Sequence, residues 1–529
     1  MSSITEHKQK IKSHLIDQLD ELGDFLDAAL KEGRSAHEVE EALWDWSLKF
    51  GHKALGLFFK YCGQGDEGEV FKLPDDRELK RLPSPHSRPY LTVFGEYSLP
   101  RYVYGSREGQ KIEHIPFDAR LQLPERKFSY LLQDWNQAMA VDLPFGQVSG
   151  HLKRILNLSQ SVNSLEQSNR QLSAAVNAFW EQEIESVTVE RQAAQTPETP
   201  DDSDLKSATI TVLSGDGKGV IMRSDELETT AVNASKQSGR PGTKRMALIG
   251  SIYSIDPYQR TPEQVLAALF AERRVVHDAA LPARPKPLNK WVRGALLRND
   301  QGKTDPQSDE IFSWLGDEAR QRQPASDKDG RKPVVLLMDG QQSLWNSGEN
   351  YLPQKEFAVT EIPDLIHATE YVWTATHLFY PKKSTQAATH AREQIDKLLN
   401  NKVNTVIDEW RAKAARKAFT PAQYDALETV CGYFTNHAHR MRYKDYLDHG
   451  LPIASGVIEG ACRNVVKDRM EHSGMRWTMK GAHAMLALRS IELSGLWDKF
   501  MPFWRQREGQ RLYSTTAAND EVFDHAAAA

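Results

Sequence analysis

Three acids stand out by type and placement. Asp216 lies in the alternating run 209–217, TITVLSGDG, and Asp339 closes the apolar run Val334–Met338. Glu459 lies in the segment 452–469, PIASGVIEGACRNVVKDR. Two aspartates and a glutamate offer hard carboxylate oxygens, which suit Mg²⁺ or Mn²⁺. Two such ions can clamp the attacking and leaving oxygens of an in-line displacement at phosphorus. The chemistry these residue types permit is two-metal cleavage or transfer of a phosphodiester.

The elements that must carry them are legible in outline. Five consecutive apolar residues ending in Asp-Gly predict a central strand covered on both faces, with Asp339 at its end. Alternation around Asp216 predicts a strand that runs into a glycine-rich bend, with 219–223 returning and 246–255 forming a third strand. Val457, Ile458, Ala461, Cys462, Val465 and Val466 recur at helical spacing, and Ser455 reads as the N-cap. Glu459, Arg463 and Lys467 fall four apart and should share a polar face. Asp364, at a strand-to-helix turn, reads as an N-cap or as a fourth ligand. His367 reads as a packed histidine or as a donor to phosphate. Gly215–Gly219 lacks the spacing of a nucleotide loop.

Taken together these motifs resemble a known family. The block Gly456-Val457-Ile458-Glu459, Cys462-Arg463, Lys467-Asp468-Arg469, Gly474-Met475-Arg476-Trp477 resembles DDE insertion-sequence transposases of the ISKra group. Asp364-Leu365-Ile366-His367 is similar to the D-x-x-H motif of Mutator-like transposases. The resemblance implies an α/β fold: an RNase H-like mixed sheet interrupted by an all-helical insertion and preceded by a helical DNA-binding region. It implies that Asp216, Asp339 and Glu459 hold two Mg²⁺ or Mn²⁺ ions, cut transposon-end DNA and join the 3′-OH to target DNA. Double-stranded DNA is then the partner, a homo-oligomer holds two ends, and the bacterial cytoplasm and nucleoid are the location. A structure-selective nuclease of the same fold and a non-catalytic DNA-binding repressor are the alternatives.

Composition narrows the field without deciding it. A chain of 529 residues with 40% hydrophobic and 26% charged residues has the make-up of several ordinary folded domains. A formal net charge of −5 leaves DNA binding to local basic surfaces. Three scattered cysteines, Cys62, Cys431 and Cys462, argue against a disulfide framework or a cysteine-based zinc site. The polar N-terminus reads as no signal peptide, and no run predicts a membrane span.

The order along the chain suggests a helical region at 1–80 and a β-hairpin plus helix-turn-helix at 86–185, with Arg101 exposed on the hairpin. A linker at 186–206 follows. The catalytic domain is expected at 207–380 and 451–500, around a helical insertion at 381–450. A loosely ordered tail at 501–529, loosest from Gly509, ends the chain. In the helix-turn-helix, a helix from Gln160 would offer Gln160, Asn163, Ser164 and Gln167 to base edges, with Lys153 and Arg154 on phosphates. Further DNA contacts are expected from Lys244 and Arg245 in the basic turn 236–245, and from Arg476 and Trp477. They are also expected from the basic stretch Arg273, Arg274, Arg284, Lys286, Lys290, Arg293 and Arg298 around Trp291, and from 436–443. His437 and His439, two apart, make a poor metal pair.

Overall fold

The computed structural model describes residues 2–73, 75–106, 112–183, 210–223, 244–271, 283–297, 306–323, 332–472 and 474–513. The expected linker at 186–206, most of the basic turn 236–245, and Arg273, Arg274 and Arg298 lie outside the described residues. The chain divides into two compact units, Met1–Ala175 with Trp497–Ala529, and Val176–Leu496.

The first unit opens with two helices, Ser2–Glu32 and Ala36–Tyr61. The second starts at a capping box, in which Ser35 and Glu38 satisfy each other's backbone N–H. Strands β1 (Val70–Lys72), β2 (Glu78–Arg81), β3 (His86–Thr92), β4 (Gly95–Arg101) and β5 (Tyr104–Gly105) follow. They make a small sheet in the order β1-β2-β5 and a β3–β4 hairpin. Arg101 is not the exposed cation expected on that hairpin: it shares the buried Asp118 carboxylate with Arg88. Helices Tyr130–Ala140, Phe145–Leu156 and Val162–Ser173 close over Leu132, Val148, Leu152, Leu156, Leu158 and Leu165. The C-terminal helix Trp497–Tyr513 is ordered past Gly509, contrary to expectation, because it is packed. Trp504 meets Tyr130 edge-on, Trp497 donates to Asp134, and Tyr513 donates to the Leu123 carbonyl.

The second unit is a mixed α/β structure. Strands β6 (Ile210–Ile221), β7 (Lys244–Ile255), β8 (Leu288–Leu296), β9 (Val334–Met338) and β10 (Val359–Pro363) form one sheet in the order β10-β9-β6-β7-β8. β6, β7 and β8 pair antiparallel, while β9 runs parallel to β6 and β10 parallel to β9. β9 is buried along its whole length, as its apolar run requires. The bend expected after Asp216 is absent. β6 continues to Ile221, and the return strand is Lys244–Ile255. The glycines serve close packing instead: a Cβ at Gly215 would lie 3.1 Å from the Phe312 ring, and one at Gly217 3.0 Å from Met246.

Helices Pro262–Leu269, Pro306–Gln321, Gln342–Tyr351 and Leu365–Phe379 accompany the sheet. Between Leu365–Phe379 and Glu459 stands a helical block, Thr385–Leu399, Val403–Ala415, Pro421–His437 and Tyr443–Asp448. Its core is continuous with that of the sheet: Val212, Val335 and Leu337 belong to the same cluster as Val372, Ile395, Trp410 and Phe434. Among the described residues no helix is long and apolar enough to cross a membrane.

Candidate active site

The sheet register brings the first two acids level. Leu213 of β6 stands opposite Leu336 of β9, and Asp216 and Asp339 each follow three residues later. The β6–β9 ladder ends at that pair, so the strands part just before the acids. On the far side of β9, Pro363 of β10 stands opposite Met338, which sets Asp364 beside Asp339.

Asp216 is the middle of a long strand, opposite Ile249 of β7. Burial pushes its carboxyl above the usual carboxylate range, the neighbouring Cys462 thiol opposes that rise, and the charge of Asp339 adds to it. Cys462 is buried, and its thiol is raised far above the ordinary range by burial and by Asp216. Asp339 is half-buried and accepts from the Gln341 N–H at 3.1 Å. The next residue must be glycine: a Cβ at Gly340 would lie 2.2 Å from the Tyr433 ring. The Gly340 carbonyl accepts from His437 Nε2 at 3.1 Å, so this buried histidine of the helical block braces the Asp339 turn.

Glu459 lies in the helix Gly456–Cys462 and faces solvent. Burial on one side raises its carboxyl, helped by the charges of Asp364, Glu370 and Asp216. The expected Ser455 cap is not made. No N–H of the first helical turn donates to that oxygen, and the hydroxyl donates to the buried Asp364 carboxylate at 2.7 Å. The helix then widens into a π turn at Arg463–Lys467, where the Asp468 N–H returns to the Arg463 carbonyl. Glu459, Arg463 and Lys467 are all exposed. Arg463 pairs with Asp468 at 3.5 Å.

Asp364 is the N-cap of Leu365–Phe379, as its position predicts. His367 is a packed residue, edge-on to Tyr371 and Tyr433. Among the described residues no three His, Cys, Asp or Glu side chains lie close enough to hold one metal ion. Asp216 and Asp339 suit a hard divalent ion by chemistry and placement. Glu459, solvent-facing on a short helix, has to turn inward to join them.

The expected DNA contacts divide. Trp477 is not a surface residue. Its backbone pairs with the end of β6, where it accepts from the Arg223 N–H at 2.9 Å and donates to the Ile221 carbonyl at 3.0 Å. Its indole donates to the Met470 carbonyl under the Arg469 guanidinium. Arg476 is exposed beside it. Lys244, opposite Ile221, is half-exposed and 3.6 Å from Glu471, and Arg245 is partly buried. Of the stretch around Trp291, Arg293 is committed to Glu310 and Asn177, and Trp291 packs on Trp180 under Arg322. Of 436–443, Arg440 is buried on Glu361, Glu349 and Trp345.

In the first unit, Phe145–Leu156 ends at Asn157 in the left-handed conformation, and the next helix starts at Val162 behind the Ser161 cap. Gln160 therefore precedes that helix. It is buried, accepts from Asn136 at 3.0 Å, and is withdrawn from any base edge. Gln167 takes a hydrogen bond from Arg126. Asn163, Lys153 and Arg154 are exposed. Sequence reasoning missed Ser455 and His437 as partners of the site, and took Cys462 for core alone. Each contacts an acid or its turn only through the tertiary fold.

No protein-family model matches this chain, and no curated protein matches it. Among solved structures, one described as a Drosophila P element transposase strand transfer complex is similar over 76% of this chain and 86% of that chain. Identity is 10% and the TM-score is 0.24, a likeness that carries no argument.

Proposed function

We propose that this chain is a metal-dependent DNA transposase of the DDE type. Asp216, Asp339 and Glu459 are its acids, Val176–Leu496 is an RNase H-like domain, and the helical block is its insertion. The observation that carries the reading is the register of β6 and β9, which sets Asp216 and Asp339 level on adjacent parallel strands at the point where those strands part. The sheet order supports it too: an antiparallel trio, β6 to β8, followed by two parallel strands, with the third acid on a later helix.

Divalent ions held by the three acids would supply a water of lowered pKa and a Lewis acid for the phosphoryl oxygens. The chain's own residues do the rest. The Cys462 thiol and the Gln341 N–H orient the two aspartates. Lys244, Arg463, Lys467 and Arg476 offer cations to the phosphates of the strand being cut, which positions it without reading sequence. Asn163, Lys153 and Arg154 are the exposed candidates for recognising element ends. On this reading the partner is double-stranded DNA, two ends call for at least two copies of the chain, and the work is done in the bacterial cytoplasm on the nucleoid.

The test is incubation of the full chain with Mg²⁺ or Mn²⁺ and labelled duplexes taken from the DNA flanking its own coding sequence. Joined products support transposition. Cutting without joining assigns a nuclease, and a metal-independent mobility shift without cutting assigns a repressor.

A further inference from the structure

Asp364 is tied on both sides to the proposed acids. Its Oδ1 accepts from the Ile366 N–H at 3.2 Å and the Ser455 N–H at 3.0 Å. Its Oδ2 accepts from the His367 N–H at 3.3 Å and the Ser455 hydroxyl at 2.7 Å. The residue is 3% exposed. A carboxylate has about four lone-pair sites, and these four donors occupy them, which leaves none for a cation. Asp364 also donates its N–H to the Met338 carbonyl at 2.8 Å, directly before Asp339, and Leu365 donates to the Ile453 carbonyl at 2.9 Å.

Ser455 leads straight to the third acid. Its carbonyl accepts from the Ile458 N–H at 2.8 Å and the Glu459 N–H at 3.1 Å, so the first turn of the glutamate helix is built on it. One buried residue thus joins the strand end that presents Asp339 to the turn that presents Glu459.

We propose that Asp364 and Ser455 form a positioning latch that sets how far Glu459 stands from Asp339 and Asp216, and thereby the affinity of the three acids for a divalent cation. The latch rests on the assignment of those acids as ligands. Asp364 acts through Ser455 and is not itself a ligand. Groups that orient metal ligands in this way typically alter metal affinity or activity by about 10–100-fold when removed.

The test uses Mn²⁺ alone as probe on the full chain, with binding followed by calorimetry or electron paramagnetic resonance, beside Mn²⁺-dependent cleavage of a duplex. Ser455→Ala should weaken Mn²⁺ binding about tenfold or more and raise the half-saturating Mn²⁺ for cleavage by the same factor, with Ser455→Thr restoring both. A merely structural role would lower the melting temperature and leave the Mn²⁺ affinity of the folded protein unchanged. Unchanged Mn²⁺ affinity in Ser455→Ala overturns the latch, and so does loss of binding in Asp364→Asn with no change in Ser455→Ala, which would make Asp364 a ligand. If the unaltered chain neither binds Mn²⁺ nor cuts DNA, the proposed function falls and the latch with it. If it binds and cuts while Ser455→Ala behaves identically, the latch alone falls.

Discussion

The buried Cys462 side chain lies against the Asp216 carboxyl and counters the rise in its pKa that burial causes, so the glutamate helix and the central strand of the sheet meet at these two residues. That neighbour favours the charged form of Asp216 against the burial that disfavours it. Removing it with Cys462→Ala raises the Asp216 pKa further. Metal-dependent cleavage needs the carboxylate, so the acidic limb of its pH–rate profile should move to higher pH. Cys462→Ser, which keeps a donor, should stay near the original profile. An unmoved limb in Cys462→Ala would remove the thiol from the chemistry.

Each of Asp216→Asn, Asp339→Asn and Glu459→Gln should slow strand cleavage by about a thousandfold or more, equivalent to losing roughly 4 kcal/mol of transition-state stabilisation. Binding to duplex DNA should persist, since the contacts to phosphate come from other residues. Gel assays of nicking and of mobility shift on the same preparations check both halves.

Gly340→Ala should destabilise the chain by about 1–3 kcal/mol, because the added methyl meets the Tyr433 ring at 2.2 Å and has nowhere to go without moving the Asp339 turn. Denaturant melts measure the loss, and cleavage should fall more than stability does.

Trp477 and Arg476 are neighbours with opposite expected phenotypes. Trp477→Ala removes a buried ring that fastens a loop to β6, and should cost about 3–5 kcal/mol of stability. Arg476→Ala should leave the melting temperature nearly unchanged, weaken DNA binding and reduce its salt dependence. Thermal melts and titrations at two salt concentrations separate the two.

His114 supplies a pH signature in the first unit. It is 4% exposed, and burial depresses its pKa from 6.5 to about 4. The unfolded chain therefore binds a proton that the folded chain refuses between those values. Stability from this group is complete above about pH 6.5 and is lost as pH falls toward 4, by an amount on the order of 3 kcal/mol. His114→Phe, stacked in the same place on Phe71, should melt with a flatter dependence on pH across that window.

The parts of the fold that could be read from sequence were those governed by a simple period. The apolar run at β9 and the helix Phe145–Leu156 stand where the pattern put them, because burial on both faces or on one stripe fixes composition directly. β6 was misread because alternate glycines look like a turn, whereas here they make room for Phe312 and Met246. Gln160 and Trp477 looked like DNA contacts since a polar or aromatic side chain does not announce its own burial. Ser455 has the chemistry of a cap, but its hydroxyl donates to a carboxylate that only tertiary structure supplies.

The hydrogen bonds from Ser455 to Asp364 and from Leu365 to Ile453 hold the start of the helix Leu365–Phe379 beside the point where the chain comes back from the helical block. That clamp ties the return of the chain to the strand end that carries Asp339, so the glutamate helix starts from a fixed point. The stretch 385–415 buries Ile395 and Trp410 in the core that also holds Val335, so a change of length is borne in the turns between its helices and not within them.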